Sequence, residues 1–280
     1  MLLFVFLFYH NFIIIPDYGI VKGEFPRLYE QQSPRKKCIV LWYSIEKTGG
    51  GFEMDYDENN LFDNCRFVAD VMKTRQDLRF QALRLIHYVI YRVICDNEDL
   101  QTFTGSVTEL AEAFHIQRSN IYRDIDSLSA QLHSTGMILG HKDPRKSWRT
   151  VTWLSRSCYN GRGTILIKLS YSMVSYVKGI RHMLSDDYHK TILKFNSVYA
   201  IRIYEIISAD RFFHKDADPE YEIADLRYWL DCEKKYLKTN DFCKYVVEAA
   251  VKEINRCSDL AVTPVFVKKG RSVTRVRFEF

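Results

Sequence analysis

The sequence has few of the residues that build covalently stapled or metal-stabilised proteins. Its seven cysteines are an odd number, form no Cys-x-x-Cys pair and have no cluster of histidines beside them. This pattern argues against a disulfide framework or a zinc site and fits a reducing cytosol, so we expect a cytoplasmic protein without metal or cofactor. Glycine (12) and proline (6) are also scarce, whereas Tyr and Phe (18 each) are abundant, so bulky side chains must fill the interior.

The chain also lacks an apolar run long enough to cross a bilayer. Residues 1–15 are strongly apolar, but His10 and Asn11 interrupt the run and Pro16 ends it. A spanning helix needs roughly 20 apolar residues, and the positive region and cleavage site of a signal peptide are missing. We therefore expect a soluble protein with no membrane partner, and its 280 residues suggest two domains.

Positive charge is concentrated in two segments, although the net charge is only +5. Such local concentration is what a polyanionic partner requires, because phosphate contacts are local and are made mostly by Lys and Arg. Two solvated hairpins would give the same pattern, so charge alone leaves both interpretations open. The basic residues are Lys142, Arg145, Lys146, Arg149, Arg156, Arg162 and Lys168 in the first segment, and Lys268, Lys269, Arg271, Arg275 and Arg277 in the second.

Residues 79–154 predict a helix-turn-helix followed by a β-hairpin. A long amphipathic helix over 79–94 comes first, and Ser106 with Glu109 forms a capping box for a second helix over 107–114. A tight turn at residues 115–117 leads into a third helix over 118–135, which begins with exposed polar and basic residues. Residues 137–139 and 148–154 then read as two strands of a wing, and residues 165–169 as a further strand.

The same order of elements recurs roughly 110 residues later. Such a repeat is stronger evidence for the fold than a single pair of helices. The fold class that follows is α+β and helix-rich, with two tandem winged-helix domains related by a pseudo-two-fold repetition. We expect a first domain over residues 54–184 and a second over 185–280. The second set begins with a helix from Asn196 or Ser197 to Ser208, a strand at 221–223 and a helix at 224–230. A longer helix follows, capped by Asn240 or Asp241 and ending near Arg256, with Phe242, Val246, Ala249, Ala250 and Ile254 facing inward. A hairpin of residues 260–267 and 272–280, with a bulge after Val273, closes the set.

Three ordered motifs resemble the plasmid replication initiators of the RepB type. They are residues 197–206 (SVYAIRIYEI), the helix over 241–255, and Lys269-Gly270-Arg271-Ser272-Val273 with the ending Val276-Arg277-Phe278. The resemblance covers about residues 60–280 and implies two winged-helix domains that bind repeated sequences, called iterons, in double-stranded origin DNA. It also implies that the protein recruits the host helicase and initiator as a monomer and represses its own gene as a homodimer.

The resemblance and the pattern of residues agree on the mechanism of DNA binding. Recognition helices enter the major groove, where base pairs are distinguishable, while wings and helix N-termini hold phosphates. For Arg202 and Glu205 we expect a structural ion pair rather than a DNA contact. The predicted DNA-binding residues are Arg118, Ser119, Asn120 and Arg123 on the first recognition helix, Lys142, Arg145, Lys146 and Arg149 on the first wing, Lys238, Asn240 and Lys244 on the second helix, and Lys268, Lys269 and Arg271 on the second wing.

Two alternatives stay open at this point. A transcriptional repressor with paired winged helices would bind only an operator, without direct repeats beside it. A rolling-circle initiator would be an enzyme, but the sequence contains no His-x-His metal-binding pair, and it has no phosphate-binding loop for nucleotide hydrolysis either. We therefore expect a DNA-binding protein that is not an enzyme and has no small-molecule substrate.

Three consecutive glycines, Gly49 to Gly51, lie just upstream of Met54. Because glycine codons begin with GG, this stretch of the gene could be a ribosome-binding site. We therefore hypothesise that Met54 is the native start and that residues 1–53 are read-through of upstream DNA. N-terminal sequencing of the purified native protein should begin at Met54, and a Met1 start would refute the hypothesis.

Overall fold

The computed structural model describes residues 59–96, 99–140, 148–185, 187–215 and 217–280, together with the backbone of two short strands near the N-terminus. These strands, β1 (Phe12–Ile15) and β2 (Gly19–Lys22), form an antiparallel hairpin in a compact unit of residues 1–50. All the other elements belong to a second compact unit, residues 51–280. The hypothesis about Met54 falls outside the described residues.

Two helices open the second unit, α1 (Leu61–Met72) and α2 (Phe80–Asp96). The helix predicted over 79–94 is confirmed as α2, whose residues from 82 to 90 are all buried. Arg84 lies in this buried stretch, and its guanidinium donates to the carbonyl oxygens of Phe114 (3.2 Å) and Leu193 (3.1 Å). These bonds give both terminal nitrogens of the buried cation a partner and join α2 to the segments at Phe114 and Leu193.

The predicted helix-turn-helix is present. Strand β3 (Thr102–Ser106) leads into α3 (Val107–Phe114), which begins with the expected capping box of Ser106 and Glu109. His115 then adopts a left-handed conformation (φ 52°), which ends α3 and turns the chain sharply. The third helix follows directly as α4 (Arg118–Ser134).

The first β region differs from the prediction in one respect. Strands β4 (Gly136–Gly140) and β5 (Trp148–Thr152) form the predicted hairpin, but β5 ends before Trp153, whose side chain is buried. A new strand, β6 (Leu154–Tyr159), begins there and pairs with β7 (Thr164–Leu169), which in turn pairs with β3. The three-stranded sheet therefore has the order β3-β7-β6, and β4-β5 is a separate two-stranded hairpin.

Three helices connect the two halves of the unit: α5 (Ser172–Met183), α6 (Tyr188–Leu193) and α7 (Val198–Phe213). Ser197 caps α7 as predicted, with its hydroxyl accepting from the backbone N–H of Tyr199 (3.2 Å), but the helix continues five residues beyond Ser208. Residues 200–207 are all buried. A helix that is buried on every side lies in the interior, and α7 contacts both α1 and the later helix α10 (Ala249–Cys257).

The second half contains β8 (Glu220–Glu222), α8 (Ile223–Trp229), a long helix and a closing hairpin. The long helix consists of α9 (Thr239–Phe242), a π-helical segment (Cys243–Glu248) and α10. Because Lys238 occupies the N-cap position, Asn240 lies in the first turn and is not a cap, and Ala249, predicted to face inward, is exposed. The hairpin is β9 (Thr263–Lys269) and β10 (Ser272–Glu279), with the predicted bulge after Val273.

The repetition predicted from the sequence is confirmed by the strand order. The second sheet has the order β8-β10-β9, which repeats β3-β7-β6 strand for strand. In this correspondence α3 matches α8, and α4 matches the long helix from α9 to α10. Among the described elements between β3 and β7, the hairpin β4-β5, inserted between α4 and β6, has no counterpart in the second half, where residues 258–262 lead directly from α10 to β9. The fold is α+β and helix-rich, as predicted.

A buried polar cluster surrounds α7. Arg202 forms an ion pair with Glu205, as predicted, and its other terminal nitrogen donates to the carbonyl oxygens of Met72 and Thr74, each at 2.8 Å. Nε2 of His87 lies 3.1 Å from the second carboxylate oxygen of Glu205. Burial alone would raise the pKa of Glu205, but Arg202 and His87 together hold that pKa below its usual value.

A second histidine extends this cluster. Nδ1 of His189 lies 3.3 Å from Nδ1 of His87, so one ring donates to the other, and both rings are buried. Burial, with a smaller contribution from His87, holds the pKa of His189 well below its usual value. His189 is therefore neutral in the folded protein.

We expect acid to destabilise the fold through His189. Its folded pKa lies below the unfolded value of about 6.5, so the unfolded chain binds more protons and gains an advantage as the pH falls through that value. Urea unfolding at pH 7.0 and 5.5 should show a loss of about 1 kcal/mol from this one residue, and His189→Gln should remove that part. The control His214→Gln, at an exposed position, should keep the full pH dependence; an unchanged dependence in His189→Gln would contradict the assignment.

Candidate nucleic-acid interface

The first recognition helix, α4, presents its predicted residues unequally. Arg118 and Ser119 are exposed at the start of the helix, and Asn120 is half-buried beside them. Arg123 is also exposed, but its guanidinium bonds both carboxylate oxygens of Asp124, at 2.8 and 3.0 Å. A base or phosphate must therefore compete with Asp124 for Arg123, whereas Arg118 forms no ion pair within the described ranges.

The predicted first wing fits the structure only in part. Lys142, Arg145 and Lys146 fall outside the described residues. Arg149 is half-buried, with its guanidinium 4.8 Å from the ring centroid of Phe67 on α1. Because side chains alternate along a strand, Arg149 shares the inward face of β5 with Val151, while Trp148 is exposed on the other face. This position does not support a DNA contact for Arg149.

The second recognition helix presents all three of its predicted residues to solvent. Lys238, Asn240 and Lys244 are exposed at or near its start, and Nζ of Lys244 lies 5.3 Å from the ring centroid of Tyr245. Tyr245 is itself 53% exposed. Lys244 and Tyr245 both lie in the π-helical segment, an uncommon conformation that recurs at functional sites.

The second wing carries its charges at the turn of the β9-β10 hairpin. Gly270 has φ +66° there, and a Cβ at that position would meet no atom within 4 Å. The three flanking basic residues, Lys268, Lys269 and Arg271, are exposed, and none forms an ion pair with any described residue. Turn and charge together make this tip suitable for binding a phosphate.

Two other basic residues of β10 are engaged within the protein. Arg275 pairs with Glu220 and Glu222, and Arg277 pairs with Glu220 and Glu279. These ion pairs link β10 to β8, so the basic segment read from the sequence divides into a structural part on the strand and an unpaired part at the tip.

Three exposed side chains near the predicted site were not assigned a role from the sequence: Tyr122 on α4, Tyr245 on the second recognition helix and Arg162 in the turn between β6 and β7. An aromatic residue next to a basic one in a predicted recognition helix was the only signal available for the two tyrosines.

In the ranges that are described, no helix is long and apolar enough to cross a membrane, and no group of His, Cys, Asp and Glu is arranged to hold a metal ion.

Comparison with solved structures supports the fold. The crystal structure of the Pi initiator protein in complex with iteron DNA matches with a TM-score of 0.56 at 16% identity, covering 75% of this chain and 92% of that one. Two crystal structures of domains 2 and 3 of RctB match at 10% identity with TM-scores of 0.45 and 0.40, covering 74% and 73% of this chain and 85% and 84% of theirs. No curated protein matches the chain.

Family models account for most of the second compact unit. A model described as "Initiator Replication protein, WH1" matches residues 69–208, which is half of the chain, and one described as "Initiator Rep protein, WH2" matches residues 222–280. Both describe winged-helix domains of initiators, and neither describes an enzyme. Their order confirms the two winged-helix domains and the resemblance found in the sequence. The chain belongs to the initiator replication protein family and is a plasmid replication initiator.

Proposed function

We propose that this initiator binds directly repeated iterons in double-stranded origin DNA through both of its winged-helix domains. The observation that carries the proposal is the repeated unit of strand, two helices and two strands, present twice with the same sheet order. One such unit reads one segment of major groove, so two units in one chain are suited to a longer repeat. The Pi initiator, which shares the fold, is described in complex with iteron DNA.

Contacts between the two halves support a joint reading of one repeat by a monomer. Besides the bonds from Arg202 to the segment after α1, Lys73 pairs with Asp210 of α7, and Arg75 pairs with Asp231 and Glu233. These contacts hold the segment between α1 and α2 against α7 and the loop after α8. A fixed relation between the two recognition helices lets binding by one domain position the other.

We place the boundary between the domains at residues 184 and 185. In the repeat α2 precedes β3 and α7 precedes β8, so α7 takes the place of the first helix of the second domain. Residues 54–184 then form the first domain and residues 185–280 the second. The bonds of Arg202 to the first domain become contacts between domains.

Within this arrangement the side chains divide into two groups by chemistry. Asn240 can make two hydrogen bonds to adenine and Arg118 two to guanine, so these are the base-reading candidates. Lys238, Lys244 and the second wing tip supply cations for phosphates, with Lys142, Arg145 and Lys146 as the corresponding candidates of the first domain. Ser119 is a further candidate, because its hydroxyl can donate a hydrogen bond to either a base or a phosphate.

We further propose that the protein acts by binding and not by catalysis. Both family models describe initiators, and the sequence has neither the His-x-His pair nor the phosphate loop that the enzymatic alternatives need. Its partners are then origin DNA, the host helicase and initiator, and a second copy of the chain when it represses its own gene in the cytoplasm. No small-molecule substrate or cofactor is required.

The proposal predicts protection of several regularly spaced direct repeats when the protein is footprinted on the DNA flanking its own gene. An unrelated duplex of equal length is the control and should show no discrete protection. Protection of a single inverted operator would contradict the proposal and favour a repressor. Binding without any discrete site would show that the recognition helices are wrongly assigned.

The second domain predicts a specific loss of salt dependence. Lys244→Ala and Arg271→Ala should each weaken binding and reduce the slope of log K against log salt by about one unit, because one phosphate contact is lost in each. Lys190→Ala is the matched control, since it removes an exposed lysine of α6 that pairs with Asp187. Slopes equal to that of the control in both variants would refute these assignments.

A further inference from the structure

The turn between β6 and β7 occupies the same place in the first domain as the basic wing tip in the second. In the sheet β3-β7-β6 the hairpin β6-β7 corresponds to β9-β10 of the sheet β8-β10-β9. Both turns contain a glycine with positive φ followed by an arginine: Gly161 (φ +73°) with Arg162, and Gly270 (φ +66°) with Arg271. The hairpin β4-β5, whose tip was predicted to be the first wing, lies outside this correspondence.

Hydrogen bonds fix the conformation of the β6-β7 turn. The side-chain oxygen of Asn160 accepts from the backbone N–H groups of Arg162 (2.8 Å) and Thr164 (3.0 Å). The carbonyl oxygen of Gly163 accepts from the N–H of Val107, the first residue of α3, at 2.9 Å. The turn is therefore ordered internally and tied to the beginning of the helix-turn-helix.

The same turn also contacts the recognition helix. Tyr122, in the second turn of α4, packs its ring edge-on against Tyr159 at the end of β6, with 6.2 Å between centroids. A Cβ at Gly163 would lie 3.3 Å from the hydroxyl oxygen of Tyr122. Both tyrosines are exposed, at 48% and 41%, so the turn adjoins the exposed beginning of α4 where Arg118 and Ser119 lie.

Arg162 is exposed at the centre of this turn, and among the residues the structure describes it has no ion-pair partner. Arg149 of the inserted hairpin β4-β5 is less exposed: it is half-buried, with its guanidinium over the ring of Phe67. An exposed arginine without a carboxylate partner, on an ordered turn beside a recognition helix, is free to bind a phosphate with two parallel hydrogen bonds.

We propose that residues 160–163 form the wing of the first domain and that Arg162 binds a DNA backbone phosphate next to the base pairs read by α4. The inference rests on the proposed function only in that the ligand is duplex DNA. It assigns the first domain a phosphate contact equivalent to that of Arg271.

Ethylation interference tests the contact directly. With the full chain on the DNA flanking its own gene, at least one phosphate whose ethylation blocks binding of the original protein should lose this effect in Arg162→Ala. The affinity of the variant should fall about three- to tenfold, and the salt slope by about 0.9 units. Arg162→Lys should retain most of the slope, because it keeps the charge. Arg66→Ala, at an exposed arginine of α1 that pairs with Asp63, should behave as the original protein.

The test separates this inference from the proposed function. A phosphate contributes to the salt slope on any duplex, so the slope is measurable even without a specific site. An unchanged slope and interference pattern in Arg162→Ala overturn the inference whether or not repeats are protected. A reduced slope without protected repeats supports it and overturns only the iteron proposal. If replacing Lys142, Arg145 and Lys146 by alanine lowers the slope while Arg162→Ala does not, the inserted hairpin is the wing and the inference is wrong.

Discussion

The buried ion pair of Arg202 and Glu205 is the interaction that fixes the interior helix α7 against the segment between α1 and α2. A guanidinium with 2% exposure needs partners for its donors. One terminal nitrogen of Arg202 pairs with Glu205, and the other donates to the carbonyl oxygens of Met72 and Thr74, which lie in the segment between α1 and α2. The cation in α7 can therefore be accommodated only when that segment is in place against it. Removing one partner of such a buried pair generally costs about 3 to 5 kcal/mol.

This constraint explains why α7 is buried on every side, unlike an ordinary surface helix. It contributes Arg202 and Glu205 toward α1 and α2, and its last turns contribute Asp210, which pairs with Lys73 and accepts from the hydroxyl of Tyr221 on β8. One helix thus connects the segment between α1 and α2 to strand β8. These elements are held through specific polar contacts, whose geometry is far more restrictive than that of apolar packing alone.

The sequence predicted those features that local chemistry determines. The capping box at Ser106 was placed correctly, and Ser197 was one of the two predicted caps of α7, because a hydroxyl three residues or fewer from an unsatisfied N–H is a local arrangement. Strand β6 was not predicted, because two hairpins follow α4 and each alternates well enough to pair. Which of them joins β3 depends on contacts such as Gly105 with Ile165, some 60 residues apart. The half-buried position of Arg149 could not be predicted for a related reason, since the face of β5 that turns inward is set by its packing against α1.

The same distinction applies to charge. Counting Lys and Arg identified two basic segments, but it could not separate the arginines that pair across strands from those that stay unpaired. Arg275 and Arg277 are placed opposite Glu220 and Glu222 by the register of β10 with β8, and register is a property of the sheet. At the described turns of β6-β7 and β9-β10 no carboxylate pairs with a basic side chain, so a cation there keeps its donors for an external anion. The turns of β6-β7 and β9-β10 thus share exposed cations without an ion-pair partner among the described residues, Arg162 in the first and Lys268, Lys269 and Arg271 at the second.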